Sequence, residues 1–143
     1  MDYKLYGFLI GNDIHFDIEN KQLYRISSNG SEKNIIFGTI FFNDTMLHLL
    51  VYMLVHGRNN HISKDELLEK IWEENKLSPS SQRLWQVLTA LNKKLQILGL
   101  PEDFIKNVKG SGYIIEHTEI KPLYLNKRHH EKTFHPNGET SIL

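Results

Sequence analysis

Leucines stand at positions 84, 88, 91 and 95, at intervals of four, three and four that only a helix gathers onto one face. That stripe needs a core to lie against. Directly opposite it fall Gln82, Gln86, Thr89 and Lys93, and the whole stretch from Pro79 to Gly99 carries no Asp or Glu. An ordinary solvated helix interleaves both signs of charge. Ser78-Pro79 predicts the helix start, with Ser as cap and Pro at the first helical position, and Gly99 predicts its stop. The expectation is a helix over residues 79–98, with an apolar seam and an acid-free polar face.

The rest of the chain arranges itself around that helix. Residues 6–10, 14–18, 23–26 and 35–42 are apolar or alternating runs, and Asn29-Gly30 is a turn signal between the last two, which predicts a small antiparallel sheet. The period then changes. Asn43 caps a first helix whose stripe is Met46, Leu47, Leu50, Met53 and Leu54, with Gly57 as its stop. His61-Ile62 is a short extended piece. Ser63-Lys64-Asp65-Glu66 forms a capping box that launches a second helix to about residue 74, with Leu67, Leu68, Ile71 and Trp72 inward. Residues 75–78 make the turn into the long helix. Beyond it, residues 105–108 and 113–115 flank Lys109-Gly110-Ser111-Gly112, a hairpin with a small basic tip. After Pro122 the chain turns polar and reads as a tail without fixed structure. The predicted organisation is therefore a sheet over 1–42, helices and hairpin over 43–117 forming one domain with it, and a tail over 118–143.

Composition excludes several function classes. The 143 residues contain no cysteine, so disulfides, thiolate metal sites and cysteine nucleophiles are absent. The start lacks the apolar segment of a signal peptide, and the longest central apolar run, residues 46–55, is too short to span a bilayer. A cytoplasmic location is expected. No nucleophile, base and orienting partner form a catalytic set, no phosphate-binding loop is present, and no cofactor is expected. His129, His130 and His135 sit in the polar tail without further ligands and read as solvated rather than metal-binding. Formal net charge is zero, but it is unevenly spread: residues 1–45 carry a net −2, residues 79–112 a net +3 and residues 121–132 a net +3. Local field rather than net charge steers a polyanion.

Sheet, helix, extended piece, helix, turn, long helix and hairpin follow in the order of a winged helix-turn-helix, an α+β fold whose last helix enters the major groove and whose hairpin is the wing. The run from Ser63 to Trp72, Leu91-Asn92-Lys93-Lys94-Leu95 and the wing Lys109-Gly110-Ser111-Gly112-Tyr113 together resemble the OmpR/PhoB-type winged-helix DNA-binding domain. The resemblance covers most of residues 5–117. Each motif is short, and the specificity lies in their order and spacing. It implies a bacterial transcriptional regulator that binds double-stranded DNA and has no enzymatic activity. The chain departs from the family in its long helix, where a run of arginines is reduced to Arg83, Lys93 and Lys94. About 42 residues precede the helices, too few for a receiver domain. In this the chain is similar to the ToxR/CadC-like branch, although no membrane segment follows in the sequence. The expectation is a stand-alone regulator or the cytoplasmic part of a longer one.

The residues expected at DNA are Ser80, Ser81, Gln82, Arg83, Trp85, Gln86, Thr89, Lys93 and, on the wing, Lys109. Gln pairs bidentately with adenine, Thr bonds a base or touches a thymine methyl, and Lys suits guanine or phosphate. Ser80 and Ser81 lie where a helix start holds a phosphate, or else they serve only as caps. Trp85 lies a quarter turn from the leucine seam, and it either packs against the sheet or second helix or touches the DNA backbone. Trp72 reads as core. The alternative function is a winged-helix interaction module that binds RNA polymerase or a partner regulator without base readout. Dimeric or tandem binding on DNA is open, and no small-molecule ligand is indicated.

Overall fold

The computed structural model describes residues 2–27, 35–73, 80–117 and 119–126. Its strands are β1 (Tyr3–Ile10), β2 (Ile14–Asp17), β3 (Gln22–Ser27), β4 (Ile35–Phe41), β5 (Lys106–Val108), β6 (Gly112–Ile114) and β7 (Ile120–Asn126). The helices are α1 (Asp44–His56), α2 (Lys64–Leu67), which continues as a π-helical stretch Leu68–Glu73, and α3 (Ser81–Ile97). The fold is the expected α+β arrangement of N-terminal sheet, three helices and hairpin.

The main sheet is antiparallel with strand order β4-β3-β2-β1-β7. Alternation along β1 to β3 turns Phe8, Ile10, Ile14, Phe16 and Leu23 to one buried face. Phe16 lies 6.3 Å from the Phe8 ring and meets Phe42 edge-on at 5.7 Å. The buried sides of the helices close over this face: Leu49, Leu50, Met53 and Leu54 from α1, Leu67, Ile71 and Trp72 from the second helical segment, and the α3 seam.

β7 corrects the expected boundary at residue 118. Residues 120–126, assigned by sequence to the tail, pair with β1 from Ile10↔Ile120 to Tyr3↔Asn126, and Ile120 is buried. Pro122 had marked the change to polar chain. It is tolerated because β7 is an edge strand, where a missing N–H breaks no inner ladder. The sheet accordingly has five strands rather than four. Residues 127–143, with the histidines and Lys127, Arg128 and Lys132 of the expected tail, lie outside the described residues. So do the Asn29-Gly30 turn and the connection over 74–79.

Local signals placed the helix starts. The Asn43 side chain accepts from the Met46 N–H, and the Ser63 hydroxyl accepts from the Glu66 N–H at 3.0 Å. The capping box is only half formed, because the Glu66 carboxylate accepts from the Tyr52 hydroxyl and so joins the second helix to α1. Gly57 ends α1, its N–H donating to the Met53 carbonyl. α3 starts two residues later than expected, with Ser80 as its cap.

Candidate nucleic-acid interface

α3 begins where Ser80, in extended conformation, offers its hydroxyl to the Arg83 N–H at 3.2 Å. The expected cap, Ser78-Pro79, lies outside the described residues. The cap role thus falls to Ser80, one of the residues expected at phosphate, and Ser81 is exposed in the first turn. Leu84, Leu88, Leu91 and Leu95 are buried as the spacing required, joined by Val87. On the other side Gln82, Arg83, Trp85, Gln86 and Lys93 are exposed and Thr89 is half-buried. The two readings of Trp85 separate here. At 61% exposure it stands in solvent and plugs neither the sheet nor the second helix.

The C-terminal part of α3 is tied to the sheet. Lys94 donates from Nζ to the Phe41 carbonyl at 2.8 Å, so this lysine faces away from the polar side. Arg25 bonds the Asp13 carboxylate through Nε (2.8 Å) and the Leu98 carbonyl through a guanidinium N–H (3.0 Å), satisfying one carbonyl that a helix end leaves free. Gly99 turns the chain away at φ +97, and a Cβ there would lie 2.4 Å from that guanidinium.

The hairpin stands beside the start of α2. Tyr113 and Ile62 exchange two backbone hydrogen bonds at 2.8 Å each, and the Ile115 N–H donates to the Gly57 carbonyl at 2.8 Å. Tyr113 is buried, and desolvation holds its phenol above its usual pKa, so it stays neutral. At the base of the hairpin Lys106 meets Glu116 at 3.4 Å. At its tip Lys109 is exposed next to Gly110, whose φ is +84. Between hairpin and α2 runs an open groove of about 590 Å³, lined by Ser63, Lys64, Asn107, Lys109, Ser111 and Tyr113.

The structure therefore collects the expected α3 residues on one exposed face, puts Lys109 on a separate projecting arm, and adds Lys64. Sequence reading passed over Lys64 because it took Ser63-Lys64-Asp65-Glu66 as a capping signal alone. It also passed over Asn92, which reaches from α3 to the arm: Oδ1 accepts from the Ile105 N–H (3.0 Å) and Nδ2 donates to the Ile105 carbonyl (3.1 Å). Among the described residues no three His, Cys, Asp or Glu side chains are grouped to hold a metal, and no helix is long and apolar enough to cross a membrane.

The family described as "Transcriptional regulatory protein, C terminal" matches residues 43–115, from the α1 cap to the end of the hairpin. The chain belongs to this family. It is an OmpR/PhoB-type winged-helix DNA-binding domain, and the family is one of transcriptional regulators rather than enzymes. Solved structures with the same fold include the DNA-binding domain of E. coli CadC, at 20% identity and TM-score 0.60, over 80% of this chain and 94% of that one. The DNA-binding domain of the response regulator AdeR, in complex with an intercistronic region, matches at 18% identity and TM-score 0.53, over 75% and 97% of the two chains. The C-terminal domain of the nisin resistance regulator NsrR, a lantibiotic response regulator, matches at 27% identity and TM-score 0.51, over 81% and 98%. No curated protein matches the chain in sequence.

Proposed function

We propose that this domain recognises specific sequences in double-stranded DNA, with α3 in the major groove and the β5–β6 hairpin on the neighbouring backbone or minor groove. The observation that carries the proposal is the exposed face of α3, which offers Gln82, Arg83, Gln86 and Lys93 without a single acid over residues 81–97. A carboxylate there would meet phosphate repulsion, whereas the amides can pair with adenine edges and the cations with guanine or phosphate. Thr89, half-buried on the same side of the helix, suits a thymine methyl. Trp85, already in solvent, gives up little by lying along the sugar-phosphate chain. Ser80 keeps its hydroxyl hydrogen for an acceptor although its oxygen caps the helix, and Ser81 lies beside it at the positive end of α3. Lys64 and Lys109, on the two sides of the groove, take phosphates. The AdeR domain solved with an intercistronic region supports this reading through its shared fold. The domain works where the chromosome is, in the cytoplasm.

A titration of two variants tests the proposal, using a duplex selected from a random pool and a scrambled duplex, each at two salt concentrations. Gln86→Ala is expected to cost about 1–3 kcal/mol on the selected duplex and to relax the preference at one base pair. Lys109→Ala is expected to weaken both duplexes alike and to lower the slope of log K against log salt by about one. If both variants bind like the parent, α3 and the hairpin are not the DNA-contacting elements and the proposal fails. Binding to a partner regulator or polymerase then takes its place.

A further inference from the structure

The hairpin has two kinds of support. The β6 side is sewn to the connection between α1 and α2 through Ile62–Tyr113 and through Ile115, which bonds Gly57 and Asn59. These bonds place the arm relative to α2 and not relative to α3. On the β5 side the backbone of Ile105 enters the arm along α3, and the Asn92 side chain holds both its N–H and its carbonyl, at 3.0 and 3.1 Å. A side-chain amide paired in this way substitutes for a neighbouring strand. Among the described residues no other hydrogen bond joins α3 to the arm. Ile105 is buried, so its peptide has little water to turn to. Four residues further on is Lys109, about 13 Å away along an extended chain.

We infer that Asn92 is a positioning residue for DNA binding: it sets the angle between α3 and the hairpin, so that Lys109 meets phosphate while the α3 face lies in the major groove. This rests on the function proposed above. Without the clasp the arm keeps its attachments at Ile62 and Ile115, so the fold persists, but it swings about them and its tip no longer arrives in register with α3. Asn92 touches no DNA in this account and acts through Lys109.

A double-mutant cycle tests the inference. Parent, Lys109→Ala, Asn92→Ala and the double variant are titrated on the selected duplex across a salt series, with folding checked by circular dichroism and thermal melting. Lys109→Ala is expected to lower the salt slope by about one in the parent and to change it no further in the Asn92→Ala background. Asn92→Ala alone is expected to lower the slope by a similar amount. An Asn92 with a merely structural role would weaken binding or melting without absorbing the Lys109 effect. Additive slopes therefore overturn the inference while leaving the proposed function intact. A Lys109→Ala variant with the parent's slope removes the wing contact and the inference with it, whereas the α3 reading still stands on Gln86. If Asn92→Ala does not fold, Asn92→Gln keeps the amide but sets it one methylene too far out, and the same coupling is read from it.

Discussion

At Gly112 the backbone runs at φ +116, and a Cβ would lie 2.4 Å from the Ile62 carbonyl oxygen. Both facts demand glycine: an L side chain strains at that angle, and what it would strike is backbone, which cannot swing aside. Gly112→Ala is expected to lose about 1–3 kcal/mol of stability and to part the Ile62–Tyr113 bonds, seen as a lower denaturation midpoint and faster amide exchange at Ile62. His15 makes a different kind of prediction. It lies edge-on to Tyr24 at 5.4 Å on the outer face of the sheet, where partial burial holds its pKa below the usual 6.5 against the weaker upward pull of Asp13. The unfolded chain then takes up a proton near pH 6.5 that the folded chain refuses until lower pH. The contribution of His15 is fully present above 6.5 and is lost as pH falls through the depressed value. Denaturation midpoints at about pH 7.5 and about pH 5.5 should fall further apart for the parent than for His15→Gln, and equal gaps would remove His15 from the pH response. Residues with local duties were legible in the sequence. Asn43 and Ser63 announce themselves because cap and capped amide are three residues apart. Arg25 and Arg58 were not, since the carbonyls they bond, Leu98 and Ile120, lie 73 and 62 residues away.

Among the elements, period served well where one face is buried and the other wet, as in α1, α3 and β2. It failed at β7. Its sequence, IKPLYLN, has a proline and no clean alternation, and its partner β1 lies more than a hundred residues earlier. An edge strand buries little of its own, so its side chains announce little. What it supplies is hydrogen bonding to β1, which would otherwise be the open edge beside β2. Truncation after His117 is therefore expected to lower the melting temperature by several degrees or more and to promote self-association through exposed β1, as read by thermal denaturation and light scattering. A truncated chain with the parent's melting curve would show that β7 is dispensable. The second helical segment departs from its reading in another way. Its cap was legible, but the widening to a π-helix over Leu68–Glu73 was not, because Leu67, Ile71 and Trp72 satisfy an ordinary apolar stripe almost as well. The candidate interface was legible as a face, since α3 is a single regular helix. Its relation to the arm was not, for that depends on Asn92 finding a backbone 13 residues ahead.

Over the whole molecule, zero net charge conceals a separation. The first 45 residues carry a net −2, whereas residues 79–112, with α3 and most of the hairpin, carry a net +3, and residues 121–132 a further net +3. Such a molecule approaches a polyanion oriented. Its association rate with duplex DNA is expected to fall as salt rises from about 0.05 to about 0.3 M even though the net charge is nil, and stopped-flow mixing measures it. A rate indifferent to salt would mean that the separated charges do not act as a field. The same division appears in how α3 is held. Among the described residues its side-chain and end ties to the rest of the fold gather toward one end, at Asn92, Lys94 and the Leu98 carbonyl, while Gln82, Arg83 and Gln86 project near the other, where Leu84, Val87 and Leu88 are packed into the core. In an engineer's terms the helix is a cantilever. From Leu98 to Gln86 the lever arm is about 18 Å, so a tilt of about 3° at the clamp carries the Gln86 backbone about 1 Å, further than a hydrogen bond to a base edge tolerates. If α3 reads bases as proposed, the far end of the reading helix is held from the sheet, at Arg25 and at the Phe41 carbonyl.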